Sequence, residues 1–143
     1  MTFGRSAPRV RPAARIGSIM SWPVAVVAME TTVVEVAEAL AGDEVGAVGV
    51  LERGSLVGIV SERDLVAHLA SGSELTRLTA GEVMSTDLVT VSPEATVIEA
   101  ARTMREAAVR HLPVLSEGLI AGIVSARDLF EVLLCYAEDH QTP

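Results

Sequence analysis

The sequence predicts a mixed α+β fold (mixed α/β) built from two tandem β-α-β-β-α repeats. Three observations carry this reading. Residues 19–70 lie over residues 83–134 without a gap at a constant offset of 64, and 20 of the 52 aligned pairs are identical. The octet GIVSERDL (58–65) returns as GIVSARDL (122–129), differing only at Glu62 against Ala126. Within each copy the apolar pattern switches between strand and helix periods in the same order. Two copies are too few for a solenoid. A unit of roughly 55 residues is marginal alone, so two copies packed face to face is the expected arrangement.

Each repeat opens with a short β-like run, Val24–Val27 and Leu88–Val91. Thr32-Val-Val-Glu35 and Thr96-Val-Ile-Glu99 then form T-x-x-E capping boxes, in which the Thr oxygen takes the N3 amide and the Glu reaches back to the cap. The helices that follow carry apolar stripes: Val33, Val36, Ala37, Leu40, and Val97, Ala100, Ala101, Met104. Strands are expected at Ala47–Leu51 and Leu56–Val60 around a turn at Arg53-Gly54. Their copies are Leu112–Leu115 and Ile120–Val124 around Glu117-Gly118. The closing helices present Leu65, Val66, Leu69 and Leu129, Phe130, Leu133. A β-α-β step followed by a hairpin implies a small mixed sheet covered by helices on one face. The expected partition is an Arg/Pro-rich flexible tail at 1–15, repeats at 16–70 and 80–135, a linker at 71–79 and a C-terminal tail at 136–143.

Composition narrows the function. Half of the residues are hydrophobic and the mean hydropathy is +0.43, which favours extra burial at a subunit interface. The longest purely apolar run, Val24–Met29, is far short of the ~20 residues a membrane span needs. The start lacks the apolar h-region of a secretory signal, so a cytoplasmic location and no membrane partner are expected. Cys135 is the single cysteine, so no internal disulfide forms, and it reads as a buried or half-buried hydrophobe. The basic residues are 11 Arg and no Lys, which excludes a Walker-type phosphate loop. Four of those Arg lie in the first 15 residues, leaving 19 acids against seven Arg elsewhere, a body that repels nucleic acid. Three His and one Cys at wide spacing make no metal site. No catalytic set stands out, so the chain is not expected to be an enzyme.

The octets admit two readings. Ser61 and Ser125 follow strands and precede helices, each three residues before an acid, Asp64 and Asp128; that is a capping box with Asp at N3. The same turn offers helix N-terminal amides to an anion. Arg63 and Arg127 add forked donors, and a carboxylate accepts hydrogen bonds from vicinal hydroxyls, as in dinucleotide folds. Phosphate donors beside a carboxylate suit a ribonucleotide.

The doubled pattern, VMS…TV-EA…LPV…G-IVS-RDL, resembles the CBS domain, which occurs as tandem pairs called Bateman modules. The match spans residues 16–134, and small stand-alone bacterial CBS-pair proteins, some linked to stress responses, look similar. The resemblance implies pseudo-two-fold packing of the repeats around two clefts for adenosine-containing ligands: AMP, ADP, ATP, NAD or S-adenosylmethionine. It assigns Asp64 and Asp128 to ribose, Ser61 and Ser125 to phosphate, and Arg63 and Arg127 to phosphate as well. Ser21, Val26 and Gly46 would complete the Asp128 cleft; Ser85, Thr90 and Arg110 would complete the Asp64 cleft. Unit two carries RHLPV, where Arg110 and His111 stand near phosphate in such modules, whereas unit one has GAVGV, with Gly46 and Gly49 and no basic residue. Unequal sites are therefore expected. A polar strand-edge position explains His111 equally well. Glu62 is expected to burden the Asp64 cleft with negative charge and Ala126 to spare the Asp128 cleft, making Asp128 the better nucleotide site.

The lead reading is a regulatory sensor with no obligatory cofactor, whose adenine-nucleotide ligand shifts packing or oligomer state. The alternative is a nucleotide-free structural or protein-interaction module, pairing as a homodimer through its helices or binding another protein.

Overall fold

The computed structural model describes residues 13–139 apart from Pro23 and Glu44. The expectations for residues 1–12 and 140–143 lie outside the described residues. Both repeats form, with nearly superimposable element boundaries. The first comprises β1 (Val26–Ala28), α1 (Val33–Asp43), β2 (Ala47–Glu52), β3 (Ser55–Ser61) and α2 (Glu62–Ala70). A short helix α3 (Ala80–Val83) precedes α4 (Val97–Ala107), β4 (His111–Ser116), β5 (Leu119–Ser125) and α5 (Ala126–Asp139).

The hairpins are fixed by their turns. Arg53 and Gly54 have φ of 53° and 81°, and Glu117 and Gly118 have 53° and 80°. Two left-handed residues in a two-residue loop match the twist of the flanking strands. Glycine at the second place removes half of the steric cost. Both ladders slip at one equivalent place, Val50/Leu51 and Val114/Leu115.

The sheets differ at their first strand. β1 runs parallel to β2, pairing Val26 with Gly49 and Ala28 with Leu51, and Gly49 N–H donates to Ala25 O at 3.0 Å. The strand expected at Leu88–Val91 shrinks to one bridge between Val91 and Val114. Val91 N–H donates to Pro113 O at 3.1 Å, and Leu115 N–H to Val91 O at 2.9 Å. The cause is Pro113, which stands where repeat one has Gly49. Proline has no N–H, so the next rung toward Val89 is lost.

The repeats exchange their leading segments. Ser21 pairs with Ile123 of β5, and Ser85 pairs with Ile59 of β3. Ile16 is fully buried in the second repeat's core, with Val97, Leu112, Val114 and Val124. Ala80 and Val83 complete the first repeat's core, with Val36, Val48, Val50 and Val60. The crossing chains lie flat on the octets' first glycines. A Cβ on Gly122 would come within 2.6 Å of Met20 Sδ, and one on Gly58 would overlap Met84 Sδ. This close approach is why both octets begin with glycine.

Two terminal stretches expected as tails are structured where described. Ala14 O accepts from Val97 N–H at 3.0 Å, and Arg15 donates to Glu94 O at 2.7 Å. Helix α5 continues through Tyr136 to Asp139. Within the expected linker, Leu75 and Leu78 pack on the first core, and Leu75–Arg77 forms a 3-10 turn. Thr79 and Glu82 form a third capping box of the T-x-x-E type, at the start of α3.

The α1 and α4 stripes are buried at Val33, Val36, Leu40, Val97, Ala100 and Met104, while Ala37 is exposed. The closing helices depart further from expectation. Leu129 and Val132 are buried and Leu65 and Leu133 are half-buried against the two cores, but Val66, Leu69, Phe130 and Leu134 are exposed. Cys135, expected to be buried or half-buried, is exposed, past the last buried residue of α5, Val132.

Candidate functional site: two clefts on one shared wall

The strand-to-helix junctions β3–α2 and β5–α5 build equivalent caps. Asp64 Oδ2 accepts from Ser61 N–H at 2.8 Å and from its hydroxyl at 3.0 Å, and Asp64 N–H donates to Ser61 Oγ at 3.2 Å. Asp128 Oδ2 accepts from Ser125 N–H at 2.9 Å, and Asp128 N–H donates to Ser125 Oγ at 3.1 Å. The next amides are spent as well: Glu62 N–H on Gly46 O at 3.0 Å, Ala126 N–H on Arg110 O at 2.7 Å. The capping reading of the octets is thus realised in full. It leaves Oδ1 of each Asp and the N–H of Arg63 and Arg127 without protein partners among the described residues.

Each cap opens onto a cleft. One, of about 830 Å³, gathers Ser125, Arg127 and Asp128 with Ser21, Gly46, Arg110 and His111. Its apolar wall is Val24, Ala25, Leu40, Val45 and Ile123. The other, of about 780 Å³, gathers Ser61, Arg63 and Asp64 with Ser85, Arg110 and His111, and its apolar wall is Ile59, Ala67, Ala108 and Val109. Most residues of one cleft map onto the other by adding 64, so the clefts are pseudo-symmetric. Of the residues the sequence singled out, Val26 and Thr90 line neither cleft. Val26 is 40% exposed, and Thr90 is exposed. Adjacent Val24 and Ala25 take the place expected of Val26.

The charge asymmetry differs from expectation. Gly46, Glu62, Arg110 and His111 line both clefts. Glu62 therefore does not burden the Asp64 cleft alone. The Asp128 cleft carries a further acid, Glu131, where the Asp64 cleft has Ala67. The Asp128 cleft is thus not the less acidic one; what distinguishes it is its larger apolar wall.

His111 pairs with Ser125 at the start of the β4–β5 ladder. Burial pushes its pKa below the ordinary value of 6.5, and Arg110 pushes the same way. Glu62, Asp128 and Asp64 oppose this but do not overcome it. Gly46 gives the ring its room, since a Cβ there would lie 2.7 Å from His111 Nε2. Among the described residues no group of three His, Cys, Asp or Glu could hold a metal ion, and no helix is long and apolar enough to cross a membrane.

The CBS domain profile matches this chain twice, over residues 16–71 and 80–135. The chain belongs to the CBS domain family. It is a CBS pair in which each matched stretch includes one octet. It is 32% identical over 110 residues to the CBS domain-containing protein YhcV of Bacillus subtilis, spanning 77% of this chain and 79% of that one. It is 31% identical over 113 residues to Hypoxic response protein 1 of Mycobacterium tuberculosis, spanning 78% and 79%. Among solved structures it resembles the CBS domain protein PAE2072 of Pyrobaculum aerophilum complexed with AMP. That likeness has a TM-score of 0.77 at 30% identity and covers 87% of this chain and 98% of the other.

Proposed function

We propose that this CBS pair is a non-catalytic regulatory module that binds an adenosine-containing ligand in its clefts. The observation that carries the reading is the grouping, in each cleft, of a carboxylate with an unpartnered Oδ1, an Arg outside any ion pair among the described residues, and an apolar wall. In this reading Asp64 and Asp128 take ribose hydroxyls. Arg63, Arg127, Arg110 and the Ser61 and Ser125 hydroxyls take phosphate, and His111 faces the same group. Adenine lies against the aliphatic wall, Val24, Ala25, Leu40 and Ile123 in the Asp128 cleft. The AMP bound by PAE2072 supports the ligand class. AMP, ADP, ATP, NAD and S-adenosylmethionine all share the adenosine that the cleft chemistry addresses. The likeness to a hypoxic response protein supports a role in stress signalling inside the cell. A bound ligand acts by favouring one relative packing of the repeats, to the extent that its affinities for the two packings differ.

The test is thermal denaturation with that panel at millimolar concentration. A ligand at 100 times its Kd adds about 2.7 kcal/mol to stability. Asp128→Ala and Asp64→Ala then assign the shift to a cleft. No shift with any of the five refutes the reading. It would favour a nucleotide-free pairing module, for which the exposed Val66, Leu69, Phe130 and Leu134 on α2 and α5 speak.

A further inference from the structure

We infer that the two clefts compete for one cation, Arg110, so that an anionic ligand in either cleft weakens the binding of a second anionic ligand in the other. The inference rests on the proposed ligand reading. Its ground is a broken symmetry. Every other described Arg at the clefts serves one of them: Arg63 lines only the Asp64 cleft, and Arg127 only the Asp128 cleft. Arg110 lines both. Its counterpart by the 64-residue offset is Gly46, which lines both clefts too but brings no charge.

The missing second cation is a packing consequence. Gly46 sits where a Cβ would lie 2.7 Å from His111 Nε2 and 3.7 Å from a Glu62 carboxylate oxygen. No arginine fits there while His111 keeps its position. Among the described residues, the wall between the clefts therefore holds one guanidinium and no duplicate.

Charge bookkeeping makes that guanidinium decisive. Among the described residues, the Asp64 cleft with Arg110 sets two Arg against Glu62 and Asp64; without it, one Arg faces two acids. Among the described residues, the Asp128 cleft sets two Arg against Glu62, Asp128 and Glu131; without Arg110, one Arg faces three acids. Arg110 is exposed and in no ion pair with a described residue, so its side chain is free to commit to either phosphate. Once committed, it turns the lining of the Asp64 cleft from balanced to net acidic, or makes the already acidic lining of the Asp128 cleft more so. A neutral nucleoside makes no claim on the guanidinium, so it leaves the clefts independent.

The experiment measures AMP and adenosine binding by calorimetry to the full chain, to Asp64→Ala and to Asp128→Ala. Each variant retains its Ser cap, and circular dichroism checks its fold. Coupling is read by comparing two products. One is the product of the association constants of the two clefts measured alone, each in the variant lacking the other. The second is the product of the two stepwise constants of the wild type. For AMP the first product exceeds the second by about tenfold, an ordinary coupling between sites. For adenosine the two agree, which also controls for side effects of the substitutions. In Arg110→Gln the AMP gap closes.

Equal products for AMP overturn the inference while leaving the ligand reading intact. So does a gap that persists in Arg110→Gln, since it would report phosphate repulsion alone. One AMP per chain in the wild type and in both variants is the strong-coupling limit and supports the inference. One AMP in the wild type and none in one variant overturns it. No binding of either ligand to the wild type removes the ligand reading itself, and the inference with it.

Discussion

Gly46 and His111 meet across the pseudo-two-fold, backbone against imidazole, with no room between them for a single carbon: a Cβ on Gly46 would lie 2.7 Å from Nε2. The pair forms part of the wall common to both clefts. Gly46→Ala is therefore expected to displace the ring and cost about 1–3 kcal/mol as an overpacked contact. Urea denaturation of Gly46→Ala, His111→Ala and the double variant checks this. Removing the ring should relieve most of the alanine's cost, so strict additivity in the cycle would show that the two do not collide.

The crossing methionines make a second steric pair. Met84 lies over Gly58 and Met20 over Gly122, where any side chain would overlap sulfur or Cγ. Gly58→Ala is expected to destabilise the fold by about 1–3 kcal/mol, with part recovered when Met84 is shortened to Ala. Recovery should be specific to the facing pair. Met20→Ala should not rescue Gly58→Ala in the same denaturation series.

These contacts mark the boundary of what the sequence discloses. The repeat, the hairpin turns, the capping boxes and the α1 and α4 stripes are local, and local chemistry writes them in the residue order. The exchange of leading segments is not local. Nothing near Ile16 says that it enters the core of Val97 and Leu112 rather than that of Val33 and Val48. One non-local consequence was written plainly: Pro113 in place of Gly49 removes a parallel rung, a signal obscured by the strand-like letters of Leu88–Val91. The octets were legible as caps and as cleft-forming residues. The sharing of Glu62, Arg110 and His111 by both clefts was not, because it depends on how close the pseudo-two-fold brings positions 46 and 111.

His111 makes stability depend on pH. Burial holds its pKa below 6.5 in the folded chain, against the opposing pull of Glu62, Asp128 and Asp64. Between the folded value and 6.5 the unfolded chain binds more protons than the native one, so stability rises with pH across that window. The contribution is complete above 6.5 and is lost as pH falls toward the folded value. Chemical denaturation from pH 7.5 to 5.5 should show this decline, and His111→Gln should flatten it. An unchanged slope in His111→Gln would assign the decline to other groups.

Glu131 supplies the last prediction. It lines the Asp128 cleft where Ala67 lines the other, and it is exposed, so its charge acts through solvent rather than through a buried contact. Glu131→Gln removes one of the three described acids facing Arg110 and Arg127 without emptying the space. AMP affinity at the Asp128 cleft should rise roughly threefold at low ionic strength, the scale of an exposed charge pair. The gain should shrink toward nothing as salt shortens the screening length below about 8 Å. Adenosine, carrying no phosphate, should bind the variant and the wild type alike. Calorimetry in 20 mM and 300 mM salt separates the outcomes: an AMP gain that ignores salt, or one that adenosine shares, would place the effect of Glu131 in cleft shape rather than charge.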